Sequence, residues 1–216
     1  MSAIATDKLE EQLARGLSAM GLEADQSVQE KLLAYVALLA KWNRAYNLTA
    51  VRDPAEMVTR HLLDSLTILP FLHLPRVLDV GTGPGLPGIP LALFCPTGTF
   101  TLLDSNSKKT RFVNQALMEL GLSNVSVVQS RIEDYRPEER FDTVVSRAYS
   151  AIQTMLAGWR HVCAAGGRII AMKGQYPRGE LTGWPVGFRL LSVEPLHVPG
   201  LEAERHAVLI ECENGG

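Results

Sequence analysis

Apolar residues recur every three or four positions over residues 7–20 and again over 29–42, where Leu32, Leu33, Val36, Leu39 and Ala40 fall on one face, and this period predicts two amphipathic helices. A third helix is predicted to start at Pro54 with Asp53 as its N-cap. It carries Val58, His61, Leu62, Ser65, Leu66 and Leu69 towards Pro70. At Arg76 the pattern changes to short β-branched runs at 77–80, 100–104, 125–129, 141–146, 167–173, 189–195 and 206–212. Helical patterns at 87–95, 108–120 and 151–163 separate the earlier runs, whereas only a loop separates the last two. This alternation predicts a doubly wound, mostly parallel, seven-stranded α/β sheet over 75–216 with an antiparallel last strand. Residues 1–74 form a helical extension packed on it as part of one compact unit.

With 216 residues and 46% hydrophobic content, the chain has enough material for one core and a small appendage. Its formal net charge of −2 gives no overall attraction to polyanions, so nucleic-acid binding requires local positive charge. Lys108, Lys109 and Arg111, with Lys41, Arg44 and Arg52 near the extension, are the candidates for a phosphate track, although for any single lysine a solvated helix face is the plainer reading. Cys95, Cys163 and Cys212 are scattered and read as reduced core thiols, neither a disulfide framework nor a thiolate metal site. No run approaches the roughly 18 apolar residues of a membrane span. The first ten residues lack the pattern of a secretion or transit signal, so the expectation is a cytosolic protein.

After the first predicted strand comes Asp79-Val80-Gly81-Thr82-Gly83-Pro84-Gly85-Leu86-Pro87-Gly88, a turn on which a ligand can approach bare backbone before a helix begins. Gly83 to Gly88 also satisfies the dinucleotide pattern G-x-G-x-x-G, a weak signal taken alone. Three features favour S-adenosylmethionine over a nicotinamide dinucleotide. Asp79, two positions before Gly81, would repel a pyrophosphate but can orient water or the amino group of a methionine moiety. Asp104 ends the second strand, where a carboxylate accepts hydrogen bonds from ribose hydroxyls. Arg131-Ile132-Glu133-Asp134 after the third strand has the composition of an adenine pocket, with Ile132 against the ring and Glu133 at its amino edge. Each acid has a plainer reading as a helix cap; together and in order they favour the cofactor.

Exocyclic amine methylation usually uses an Asn/Asp-Pro-Pro-aromatic turn after the fourth strand, where this chain has Ser146-Arg147-Ala148-Tyr149. Pyrimidine carbon methylation needs a Cys nucleophile there, and the chain has only the reversed pair Cys95-Pro96 elsewhere. An acceptor with a free lone pair and no proton, such as guanine N7, needs neither base nor nucleophile, only alignment with the methyl group.

Trp42-Asn43, Asn47-Leu48-Thr49, Arg60-His61-Leu62-Leu63-Asp64-Ser65-Leu66 and the loop from Asp79 to Pro90 closely resemble the bacterial small-subunit ribosomal RNA methyltransferase G family, also called the glucose-inhibited division protein B family. So do Leu102-Leu103-Asp104-Ser105, Gln129-Ser130-Arg131, Ser146-Arg147-Ala148, Lys173-Gly174 and Glu204-Arg205-His206, and the likeness runs from about Leu32 to Cys212. The resemblance implies a class I S-adenosylmethionine-dependent methyltransferase fold and guanine-N7 methylation of 16S rRNA in the helix 18 loop. The expected substrate form is a small-subunit or precursor particle and the expected enzyme a monomer. The family's cofactor contacts fall on Gly81, Leu86, Ile132, Glu133 and Arg147; Asp79, Gly83, Gly85 and Asp104 join them from the reading of the loop itself.

Arg147 is expected at the mouth of the site, on the cofactor or an rRNA phosphate, and Lys173 on the same rim, holding a phosphate or the base. For His61 and Asp64, three apart on one helix face, a local hydrogen bond is the plain reading and lining the crevice the functional one. His61 is not expected to act as a base, because N7 has no proton to give up. Three alternatives stay open from the residues: a small-molecule or protein methyltransferase of the same fold, a nicotinamide-dependent dehydrogenase, and a non-catalytic RNA-binding module.

Overall fold

The structure is a computed structural model that describes residues 3–147 and 151–213, so Ala148 and Tyr149 of the turn after the fourth strand lie outside the described residues. Helices α1 (Ala3–Ala19) and α2 (Gln26–Tyr46) form where the apolar period predicts them. Asn47 ends α2 in the left-handed region at φ 49° and returns its N–H to the Asn43 carbonyl.

The predicted third helix begins as expected, with the Asp53 carboxylate accepting from the Ala55 N–H at 3.2 Å. It does not continue as one α-helix. A single turn, α3 (Pro54–Met57), passes into a π-helix over Val58–Leu63, then α4 (Asp64–Leu66) and a 3-10 turn over Leu69–Phe71. Hydroxyls reach the backbone here, Ser65 Oγ to the His61 carbonyl at 2.5 Å and Thr67 Oγ1 to the Asp64 carbonyl at 2.6 Å. Apolar periodicity carries no signal for such a widened turn, a feature frequent at functional sites.

The strands are β1 (Arg76–Val80), β2 (Thr99–Asp104), β3 (Val125–Gln129), β4 (Phe141–Arg147), β5 (Cys163–Lys173), β6 (Phe188–Pro195) and β7 (His206–Cys212). They make one seven-stranded sheet in the order β3-β2-β1-β4-β5-β7-β6. β7 pairs antiparallel with both β5 and β6, so it alone runs against the other six, as expected of the last strand. The late hairpin is present, but folded back so that β7 is interior and β6 forms the edge. β5 starts earlier than predicted, and a bulge against β4 accommodates the extra residues.

Helices α5 (Gly88–Phe94), α6 (Ser107–Leu120) and α7 (Ile152–Trp159) complete the layers. On one face of the sheet, Val77, Phe100 and Leu102 share a buried cluster with Phe112 of α6 and with Leu32, Tyr35, Val36 and Leu62 of the extension. On the other, Leu78, Val80 and Val144 pack with Ile152, Leu156 and Trp159. Adjacent residues of β1 thus point into different cores, the pattern of a parallel strand covered on both faces. Each fully buried Leu or Phe contributes about 1.5–3 kcal/mol, and the extension supplies many of them to the sheet's own core.

Cys163 and Cys212 are free and buried, as expected; Cys95 is also free but only half-buried. Among the described residues, no helix is long and apolar enough to cross a membrane and no cluster of His, Cys, Asp and Glu could hold a metal ion.

Candidate active site

The order of the sheet reverses between β1 and β4, and at such a switch point the loops leaving the strand ends diverge and open a crevice. Two cavities lie there. The first, of about 360 Å³, is lined by Val80, Gly81, Leu103, Asp104, Ser105, Lys109, Ser130, Arg131, Ile132 and Glu133. The second, of about 370 Å³, is lined by Val51, Arg60, His61, Asp64, Arg147, Met172, Lys173, Gly174 and Arg205.

In the first cavity the glycine loop is held by the two acids singled out in the sequence. Asp79 is fully buried; its Oδ2 accepts from Thr82 Oγ1 at 2.6 Å and from the Gly88 N–H, the first of α5, at 2.9 Å. The helix-cap reading therefore describes this oxygen. Asp79 Oδ1 is buried without a hydrogen-bond partner, and burial raises the carboxyl to a pKa of about 6 despite those bonds.

Asp104 accepts from the Gly83 N–H at 2.9 Å on Oδ2 and from the Asn106 N–H at 2.8 Å on Oδ1, with Lys109 Nζ 3.9 Å from Oδ2. Each carboxylate oxygen has two lone-pair directions, so Asp104 keeps acceptor capacity while facing the cavity. Gly81, Gly83 and Gly85 have φ of 68°, 60° and 97°, and a Cβ on Gly85 would lie 2.5 Å from Ile89 Cδ1. Leu86 is buried beneath the loop, Ile132 is buried at the cavity wall, and Glu133 is exposed beside it. His161 Nε2 shares the Ile132 and Tyr135 carbonyls at 3.1 and 3.0 Å, which fixes the turn carrying Ile132.

The second cavity collects residues far apart in sequence. The Asp64 side chain is 3% exposed. Its Oδ2 lies 3.3 Å from Arg147 Nη1 and its Oδ1 accepts from Arg205 Nε at 3.0 Å. Arg147 Nη1 also donates to the Arg60 carbonyl at 3.1 Å, and Arg205 Nη1 to the Glu204 carbonyl at 2.8 Å. Lys173 Nζ pairs with Glu180 Oε2 at 2.8 Å, and that same oxygen receives the Ile152 N–H at the start of α7 at 2.7 Å.

His61 bonds through Nε2 to Thr49 Oγ1 at 2.8 Å, and Thr49 is placed by its own N–H donating to Asn43 Oδ1 at 2.9 Å. The plain reading of a His61–Asp64 hydrogen bond is thus replaced: each is paired elsewhere, and both line the cavity. Burial, then the Arg147 charge, lowers the His61 pKa to about 4, so the ring is neutral at physiological pH.

Arg147 lines the second cavity with Lys173 and not the first with Asp104, so the sequence-predicted residues divide into two groups. Arg60 and Arg205 stand in the second group without having been singled out, although both lie inside quoted motifs. Of the basic clusters, Lys109 reaches the first cavity, while Lys41, Arg44, Arg52, Lys108 and Arg111 are exposed on the surface.

A sheet of this order, with a glycine loop after β1 and an acid ending β2, is the class I S-adenosylmethionine-dependent methyltransferase fold. The same architecture occurs in a SAM-dependent methyltransferase from Aquifex aeolicus (TM-score 0.54, 21% identity, 74% of this chain and 94% of that one). It occurs also in TrmN from Thermus thermophilus (TM-score 0.55, 18% identity, 79% of this chain and 53% of that one). The family model for rRNA small subunit methyltransferase G matches residues 28–208. Ribosomal RNA small subunit methyltransferase G of Shewanella amazonensis is 52% identical over 198 residues, 92% of this chain and 96% of that protein. The Pseudomonas aeruginosa protein of the same name is 50% identical over 98% of this chain and 99% of its own. The chain belongs to the rRNA small subunit methyltransferase G family and is a methyltransferase.

Proposed function

We propose that the protein methylates N7 of a guanine in the helix 18 loop of 16S rRNA, with S-adenosylmethionine as donor, by direct in-line transfer without a covalent intermediate. The observation that carries this reading is the pair of cavities at the switch point, one lined by Gly81, Asp104, Ile132 and Glu133 and the other by Arg60, Arg147, Lys173 and Arg205.

The residues of the first cavity fit the donor. Asp104 would accept from the ribose hydroxyls, and Ile132 and Glu133 would meet the adenine face and edge. Gly81, Gly83, Gly85 and Leu86 would form the floor under the methionine portion. The orphaned Asp79 Oδ1 calls for a donor, which the ammonium of a methionine moiety or an intervening water would satisfy. The bound donor supplies an electrophilic methyl on a sulfonium.

Arg205 and Lys173 of the second cavity would hold the acceptor nucleotide so that its N7 lone pair points at that methyl, with Arg147 at the mouth of the site on the cofactor or an rRNA phosphate, and catalysis would rest on this orientation. Guanine N7 carries no proton, which suits a site where His61 is neutral and tied to Thr49. The near-neutral total charge favours RNA presented on a small-subunit or precursor particle over naked RNA. A cytoplasmic monomer fits this role.

The decisive measurement is mass spectrometry of 16S rRNA from cells lacking the gene, before and after incubation with purified protein and labelled donor. One missing 7-methylguanosine in helix 18, restored in vitro, is the expected result. Its presence without the gene would remove the rRNA assignment and turn attention to small acceptors.

A further inference from the structure

Asp64 is nearly excluded from solvent, and each of its two oxygens contacts a different arginine. The two arginines come from distant parts of the chain, Arg147 at the end of β4 and Arg205 immediately before β7. Their side chains are 21% and 23% exposed, and both line the acceptor-side cavity. A guanidinium has five N–H donors in a rigid planar fork, and each arginine commits only one or two nitrogens to Asp64 and a carbonyl. The other nitrogens of both forks have no hydrogen-bond partner among the described residues, and both side chains line the cavity.

A flexible arginine loses side-chain entropy when it binds an anion; one already held by a buried carboxylate has lost it in the free enzyme. We propose that Asp64 is a positioning residue: it braces Arg147 and Arg205 as a preformed fork for one phosphodiester of the RNA acceptor and has no contact with the reacting atoms. This rests on the acceptor assignment above and adds the device by which the arginines are aimed. Burying a carboxylate against two guanidinium ions also keeps them from repelling each other at close range.

The test compares Asp64→Asn, Arg205→Ala and the double variant with wild type, using small-subunit particles from cells lacking the gene. KM for particles, RNA retention without the donor and the dissociation constant for S-adenosylmethionine are measured for each. The expected result is a rise of about tenfold or more in particle KM for Asp64→Asn, the scale of one charge-assisted contact, with donor affinity within about twofold of wild type. The double variant should lose less than the sum of the two single losses, because part of the effect of Asp64 runs through Arg205 and the rest through Arg147. Unchanged particle KM in Asp64→Asn, or losses that add in the double variant, would overturn the proposal.

Should Asp64→Asn fail to fold, Arg205→Lys takes its place. It keeps the charge but not the braced fork, so it should lose nearly as much as Arg205→Ala, and full retention of RNA binding would refute the bracing. Failure of wild type to methylate any particle would instead strike the rRNA assignment, and the donor-free RNA-binding comparison separates the two.

Discussion

The hydroxyl of Tyr35, a fully buried residue of α2, donates to the carbonyl of Pro84 at 2.8 Å. This bond joins the helical extension to the glycine loop, so the extension helps set the shape of that loop. Burial also pushes the Tyr35 phenol well above its ordinary range, and the hydroxyl remains a donor at any pH the protein meets. Tyr35→Phe keeps the ring but leaves the carbonyl unpaired. It should cost about 1 kcal/mol of stability and weaken donor binding several-fold, read by denaturant unfolding and by calorimetric titration.

Asp104 and Lys173 line different cavities and test the roles proposed for them. Asp104→Ala removes the acceptor for the Gly83 and Asn106 N–H groups as well as the contact expected with ribose. Donor affinity should fall by about 1–3 kcal/mol. Lys173→Ala, in the other cavity, should leave donor affinity unchanged while raising KM for the RNA substrate. Equal donor affinity in wild type and Asp104→Ala would remove the ribose role from this carboxylate.

Asp79 predicts a particular pH signature. Its pKa, raised from 3.8 to about 6 by burial, means that the folded state holds a proton more tightly than the unfolded chain. Its contribution to stability is therefore largest below about pH 4 and is lost as pH rises to 6, with a total on the order of 2–3 kcal/mol. Urea unfolding of wild type and Asp79→Asn across pH 4 to 7 should show the difference between them changing through that window in this direction and flat above it. A difference that does not vary with pH would mean that Asp79 titrates normally.

For His61 the sign is opposite. Lowered from 6.5 to about 4, its folded pKa makes it a stabilising neutral group above pH 6.5, a contribution lost as pH falls towards 4. Its ring resonances in NMR should show no titration between pH 5 and 8. A midpoint near 6.5 would indicate that the Thr49 contact and the burial do not hold in solution.

The sheet and the glycine loop with its two acids are legible in the chain because both depend on local sequence. β-branched runs alternate with helical periods, and Gly81 to Gly88 lies between one strand and one helix. The second cavity is not local: Asp64 meets Arg147 across 83 positions and Arg205 across 141. Spacing on a helix face cannot report such a meeting, so His61 and Asp64 look like partners of each other. The signal that could have found Arg205 was its place beside His206, where a strand starts. The π-helix over Val58–Leu63 escapes for a related reason, since its buried apolar residues also fit an ordinary helix pattern.

β7, the last strand in chain order among the described residues, lies inside the sheet rather than at its edge, so the sheet is continuous only when β7 is in place. The chain up to β5 already contains every element bordering the first cavity, from the glycine loop to the turn holding Ile132. It lacks Arg205, and β5 has an open side until β7 inserts beside it. A chain stopped between β6 and β7 would thus contain every residue lining the first cavity but lack Arg205 of the second.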